Sequence, residues 1–407
     1  MATATTFKYV VRDRAGKTQT GTLEAADQRA VGVKLREMGY APVSITQRQQ
    51  SALQQDLSIP GFGGKVGLKD LAVFSRQFAT MINSGLSLIR ALNILTEQTD
   101  NKRLAKILGE IRTEIEAGKG LSETLAEHEE FPKLFVAMVK AGEVAGMLDV
   151  VLQRVAVTLE KDLELRRKIK SAMTYPVVVL IMAVLLTIVM LIFIVPVFVG
   201  MFESLGGTLP LATRILLALS FVVRKLWYVV VILGILGWQA FVYGRKQPAI
   251  RRQLDVVKLK LPVFGNLFQK IALSRFTRNF GSLLRAGVPI LSALEITSET
   301  VNNAVIAEAI DDVQAAVREG ESVARPLGSH AVFPPMVVQM MAVGEETGAM
   351  DEMLMKISDF YDDEVTALTE SLTALLEPLL IGLLGGIVGA MVIALYMPMF
   401  KIFELIQ

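Results

Sequence analysis

One block of this chain occurs twice. Gly142-Glu143-Val144-Ala145-Gly146-Met147-Leu148-Asp149 returns as Gly344-Glu345-Glu346-Thr347-Gly348-Ala349-Met350-Asp351, both reading G-E-x-x-G-x-x-D at an offset of 202 residues. The same offset, without a gap, pairs Phe74 with Phe276, Arg76 with Arg278, Phe78 with Phe280 and Gly85 with Gly287. It also pairs Phe131-Pro132 with Phe333-Pro334, Pro176 with Pro378, and Pro196 with Pro398. One register that holds from charged stretches into an apolar run implies tandem duplication. Whatever fold the first half takes, the second must repeat.

Periodicity makes each copy helical. Leu71, Phe74, Phe78 and Met81 recur at i, i+3, i+7 and i+10, one face of an amphipathic helix that Gly85 can stop. A second helix is expected to about Thr99 and a third from Lys102 to Ala117. Shorter helices lead to Phe131-Pro132, one runs into the signature, and a long one leaves it at Asp149. About six helices with short turns predict an antiparallel bundle. The second copy, from about Leu273 to Glu377, has Gly287 and Gly320 at the matching stops and Pro289 in the first turn of its second helix. Within the signature, Gly146 and Gly348 are expected to take positive φ, and Asp149 and Asp351 to N-cap the next helix. A turn does not need Glu143 or Glu345. Each either holds turn N–H groups or an arginine, or contacts a partner or cation where bundles meet.

Hydrophobic residues make up 52% of the chain and mean hydropathy is +0.47, too apolar for a soluble protein, while 20% charged residues are too many for an all-membrane one. Ser171–Phe202 carries no charge, and its core, Pro176–Val199, is long enough to cross a ~30 Å hydrocarbon layer. Leu226–Gly244 is a second uncharged run with Trp227, Tyr228, Trp238 and Tyr243 toward its ends, and Pro378–Phe400 is a third. The stretch Leu211–Val223 either extends the second span or lies on the membrane. Pro196 and Pro398 are expected to kink or end the outer ends of the repeat spans. Gly382, Gly385, Gly386 and Gly389 form two overlapping G-x-x-x-G pairs that let another helix come close. Lys161, Arg166, Arg167, Lys168 and Lys170 precede the first span, and Arg245, Lys246, Arg251, Arg252, Lys258 and Lys260 follow the second. The positive-inside rule then puts both bundles in the cytoplasm, the short connection outside and the C-terminus outside.

Several chemistries find no residues to carry them. The chain has no cysteine, and its two histidines, His128 and His330, are one position repeated before F-P, so no metal site is expected. A net charge of +2 argues against a nucleic-acid binder. Gly16-Lys17-Thr18 lacks the glycine a phosphate loop needs five positions before its last glycine, and reads as a hairpin turn. No nucleophile or base accompanies the signature carboxylates, so no catalytic residue and no cofactor is assigned. No ionisable residue lies inside the three spans, so energy for any work must come from a separate molecule. The N-terminus, MATATTFKYVVRDR, lacks the apolar core of a cleavable signal.

The fold class expected is mainly α and integral to the membrane. Two tandem-duplicated cytoplasmic six-helix bundles are joined to three transmembrane helices, with a small N-terminal α+β unit. The layout is an α+β domain at 1–46 (strands near Phe7–Arg12, Gln19–Leu23 and Pro42–Thr46, helix Ala25–Met38), a linker at 47–67 and a first bundle at 68–175. Spans at 176–200 and 226–244 flank a periplasmic connection at 201–225. A second bundle at 245–377 precedes a third span at 378–400 and a short tail at 401–407.

This order resembles the inner-membrane platform family of type IV pilus and type II secretion machines, known as PilC or GspF. The features that carry the resemblance are Tyr9-Val10-Val11-Arg12-Asp13-Arg14-Ala15-Gly16, Phe74-Ser75-Arg76-Gln77-Phe78, the two signatures, Tyr175-Pro176 leading into the first span and Glu377-Pro378 into the third. The resemblance implies a non-enzymatic, homo-oligomeric platform in the bacterial inner membrane. Its implied partners are a cytosolic hexameric assembly ATPase, with a retraction ATPase a further candidate, pilin or pseudopilin subunits, inner-membrane alignment proteins and the lipid bilayer. The N-terminal unit looks closer to the pilus branch than to the secretion branch. A transporter subunit is the competing class, and three apolar spans without polar lining speak against it.

Overall fold

The computed structural model describes residues 5–12, 18–25, 28–37, 41–47, 64–198, 210–245, 247–262 and 264–405. It separates into two compact units, residues 1–64 and 65–407. The first holds strands β1 (Thr5–Arg12), β2 (Thr18–Ala25) and β3 (Ala41–Gln47) and helix α1 (Gln28–Glu37). The sheet is antiparallel in the order β2-β1-β3, with a register shift between Val10 and Val11 against β3. Val31 and Leu35, one turn apart on α1, are fully buried. Ala25, expected to open the helix, instead pairs with Thr5 as the last residue of β2, and α1 begins at Gln28. The turn Asp13–Lys17 and the linker Arg48–Gly63 lie outside the described residues.

The second unit opens with six helices: α2 (Leu68–Asn83), α3 (Leu88–Gln98), α4 (Lys102–Glu116), α5 (Leu121–Ala126), α6 (Lys133–Ala145) and α7 (Leu148–Val189). A π-helical turn, Met190–Ile194, extends α7, and helix continues to Phe198. After α8 (Leu211–Lys225), α9 (Trp227–Gly244) and α10 (Pro248–Lys260), six more helices repeat the first set. These are α11 (Phe264–Arg285), α12 (Ile290–Thr300), α13 (Ala304–Arg318), α14 (Ala324–Leu327), α15 (Pro335–Thr347) and α16 (Met350–Leu405).

The repeat extends to individual contacts. Phe74 stacks on Phe78 with centroids 5.4 Å apart and meets Phe131 edge-on at 5.9 Å; Phe276 stacks on Phe280 at 5.9 Å and meets Phe333 edge-on at 5.3 Å. Asn101 caps α4 by accepting from Arg103 and Leu104, and Asn303 caps α13 by accepting from Val305 and Ile306. The buried apolar side chains of the two bundles form one continuous cluster.

Among the described residues, three helices are long and apolar enough to cross a membrane: Leu148–Phe198, Trp227–Gly244 and Met350–Met397. In the first and third, the span continues the last helix of a bundle. Pro176 and Pro378 therefore lie inside unbroken helices. Three local expectations are corrected. Pro289 is the N-cap of α12 rather than a member of its first turn, because its ψ of 141° is extended. Of the two outcomes expected at Pro398, an end to the helix is excluded, since it runs on to Leu405. Of the two placings expected for Leu211–Val223, extension of the second span is corrected: α8 breaks from α9 at Leu226 and packs across the far ends of α7 and α16.

Candidate functional site

The signature residues lie at the elbow between α6 and α7, and again between α15 and α16. Each position has a separate physical job. Gly142 lets α7 come close, since a Cβ there would lie 2.8 Å from the Val151 Cβ; at Gly344 it would lie 2.9 Å from the Met350 Cα. Gly146 and Gly348 take φ of 69° and 72°, the left-handed cap that releases the chain from one helix. Asp149 and Asp351 do not N-cap. Met147 occupies the cap of α7, and the acids sit in the first helical turn, favourably placed toward the helix N-terminus. Asp351 also pairs with Arg285 at 3.2 Å.

The glutamates reach back 21 and 22 residues. Glu143 accepts from the Leu121 N–H at 2.7 Å, the Ser122 N–H at 3.0 Å and the Ser122 hydroxyl at 2.6 Å. Glu345 accepts from the Val323 N–H at 3.0 Å and the Ala324 N–H at 3.3 Å. They cap the N-termini of α5 and α14, whose N-cap residues Gly120 and Val323 offer no side-chain cap; at α14 the Ser322 hydroxyl accepts from the Arg325 N–H at 3.2 Å beside it. Burial pushes the Glu143 carboxyl up, but the hydrogen bonds from Ser122 and Leu121 outweigh it and hold it below the ordinary carboxylate range. Of the roles open to these glutamates, the geometry displays the holding of turn N–H groups.

Ion pairs tie the bundles and their long helices together. Arg76 binds Glu160 through two nitrogens, joining α2 to α7, and Arg278 binds Asp362, joining α11 to α16. Between the copies, Asp162 of α7 meets Arg275 of α11 at 3.2 Å, and the Thr158 and Ser282 hydroxyls lie 3.1 Å apart. Lys133 pairs with Glu299 at 2.8 Å and Lys161 with Asp359. Burial pushes the Arg275 guanidinium down, opposed by the attraction of Asp162. Toward the membrane, Leu165 and Ile169 of α7 pack with Val365, Leu368 and Leu372 of α16. A groove of about 1230 Å³ remains where α6 faces the α11–α12 turn, floored by Phe131, Val136, Val288 and Ile296.

At the far ends of the spans, two hydroxyls replace hydrogen bonds that prolines remove. Pro398 has no N–H for the Ala394 carbonyl four residues back, and the Thr213 hydroxyl donates to that carbonyl at 2.6 Å. In α7, the Val195 N–H goes to Met190 in the π turn and Pro196 has none to offer, so the Leu191 carbonyl takes the Ser220 hydroxyl at 2.6 Å. Thr213 and Ser220 are seven residues apart, two turns of α8, and both are buried. Sequence reasoning missed them. The signal was there as two hydroxyls at helical spacing in a largely apolar run.

The remaining expected residues are placed as follows. Tyr175, Pro176, Glu377 and Pro378 lie mid-helix where bundle passes into span. A Cβ built on Gly382, Gly385, Gly386 or Gly389 meets nothing within 4 Å, so this stripe of α16 is open. His330 faces Asp312 at 3.4 Å, and among the described residues no three His, Asp or Glu side chains converge as a metal site requires.

Two copies of one bundle-plus-span module, linked through the span at α9, define a membrane protein. The family described as Type II secretion system (T2SS), protein F matches residues 74–196 and again 276–398, and its N-terminal domain matches 1–46. The chain belongs to this family. It is 43% identical over 402 residues, 98% of this chain and 96% of the relative, to the type IV pilus assembly protein PilC of Myxococcus xanthus. It is 44% identical to the PilC of Thermus thermophilus over 97% of this chain and 98% of the relative. It is 33% identical to the type II secretion system protein F of Xanthomonas campestris over 90% of this chain and 91% of the relative.

Proposed function

We propose that this protein is the inner-membrane platform of a type IV pilus assembly machine. Its bundles face the cytosol and receive motion from a hexameric ATPase. The long helices carry that motion to the bilayer, where pilin subunits leave for the growing fibre. The observation that carries this reading is mechanical: α7 and α16 each run from a signature elbow through the bundle into a span with no break. A stiff rod of about 1.5 Å per residue transmits displacement that a flexible joint would absorb. The charge clusters flanking the first two spans support the cytosolic placing of both bundles. The signature elbows serve as rigid corners, their glycines fixing the close approach and their glutamates pinning α5 and α14.

A Gly-Ser insertion after Lys170 tests this. ATPase binding should persist while surface fibres disappear; normal piliation would refute the transmission role. The second reading, a secretion platform moving pseudopilins, is supported by the secretion-system relatives at 33% identity. Deletion distinguishes the two by whether surface pili or secreted enzymes are lost.

A further inference from the structure

The contact between the two copies is head-to-tail. The α6–α7 side of the first copy meets the α11–α12 side of the second. A duplicated chain that pairs its halves this way leaves one copy of each side unused, α15–α16 at one end and α2–α3 at the other. Burial follows that division. Thr158, Leu165, Pro176 and Ala183 are buried along one stripe of α7, while their counterparts on α16, Phe360, Ala367, Pro378 and Gly385, are all exposed. Opposite them, Ser282 is buried and its counterpart Thr80 exposed, and Arg275 gives way to Val73. Phe360 and Val73 are 45% and 47% exposed, two large apolar side chains at the positions where the internal contact uses Thr158 and Arg275.

We propose that a second copy of this chain covers this face by repeating the internal contact, its α2 and α7 seated on α16 as α11 and α16 are seated on α7. The direction of the step suits a membrane. Leu165 packs beside Val365 and Leu372, close to its own repeat position, so α7 and α16 lie parallel and in near register. The axis relating the copies therefore runs along the spans, and applying the step again keeps every span in one bilayer. Ser371, Gly382 and Gly389 continue the uncovered stripe and leave room for close helix approach; the exposed bundle positions are what mark it. The inference holds whether the machine builds a pilus or a pseudopilus.

The chain contains no cysteine, so disulfides report only introduced pairs. Thr80 and Phe360 correspond to Ser282 and Thr158, whose hydroxyls are 3.1 Å apart. Phe360→Cys and Thr80→Cys are placed on two differently tagged full-length chains, co-expressed, and oxidised in membranes. The expected result is a cross-linked species carrying both tags, absent when Phe360→Cys is paired with Lys106→Cys on α4. No cross-link above that control overturns the proposal. So does Phe360→Cys joining to itself in the absence of Thr80→Cys, which would mean a symmetric α16–α16 contact. Phe360→Arg, on an exposed site, should lower the assembly size of the detergent-purified protein while leaving its thermal melt unchanged; an unaltered size also sinks the idea.

Discussion

In the first bundle Arg76 and Glu160 hold α2 to α7 with side chains 34% and 40% exposed, whereas at the same offset in the second bundle Arg278 is 1% exposed and Asp362 21%. The arginine, the spacing and the partner helices are the same, and the acid shortens from glutamate to aspartate. The difference is cover: α7 lies beside the second pair, and no helix described in residues 65–407 stands in the corresponding place beside the first. A duplicated module therefore does not give duplicated energetics. Its second copy carries a desolvated charge that the first leaves near water.

The largest expected effect would break that pair of sites apart. Arg278→Ala strands Asp362 in a partly buried site and should cost about 3–5 kcal/mol, while Arg76→Ala should cost under about 1 kcal/mol. Denaturant unfolding of the two variants in detergent measures the gap, and equal losses would mean that cover does not decide the outcome. Next come the elbows. Glu143→Ala leaves two N–H groups and the Ser122 hydroxyl unpaired, at about 1–3 kcal/mol. Glu345→Ala should cost less, because Ala324 stands where Ser122 offers a hydroxyl. Thr213→Val and Ser220→Ala should each cost about 0.6–1.7 kcal/mol, read as earlier melting, since each leaves a proline-freed carbonyl alone.

The pH dependence sharpens the comparison further. The folded-state pKa of Glu143 lies below its unfolded value, so the unfolded chain takes up the proton first. Its contribution is complete at neutral pH and is lost as pH falls through the folded pKa. Glu143→Gln should flatten that part of a stability–pH curve, and an unchanged slope would reject the assignment. The smallest effect is expected at Asp149→Asn, about 0.3–1 kcal/mol from the first-turn dipole contact, weakening with salt.

Much of the fold was legible because its signals are local or repeated. The stripe Leu71, Phe74, Phe78, Met81 turns on a 3.6 period, and Gly146 needs only its own backbone to end a helix. Asp149 was misread because its type suits both a cap and a first turn, and a shift of two residues lies within the reach of local signals. Glu143 stands out in sequence because a turn does not need it, yet its role depends on partners elsewhere. Its partners, Leu121 and Ser122, lie about six turns away along the chain, and no local pattern names them.

The sequence by itself determined that the chain is one module written twice, that each module is helical, and that three segments suit a bilayer. Those properties follow from register, periodicity and apolar length, which are additive along the chain. Only the tertiary structure decided which face of each copy is covered, and which hydroxyl answers a carbonyl that proline has freed. A proline shows in sequence that a hydrogen bond is missing. The replacement donor comes from packing between distant segments, and packing depends on the whole surface at once.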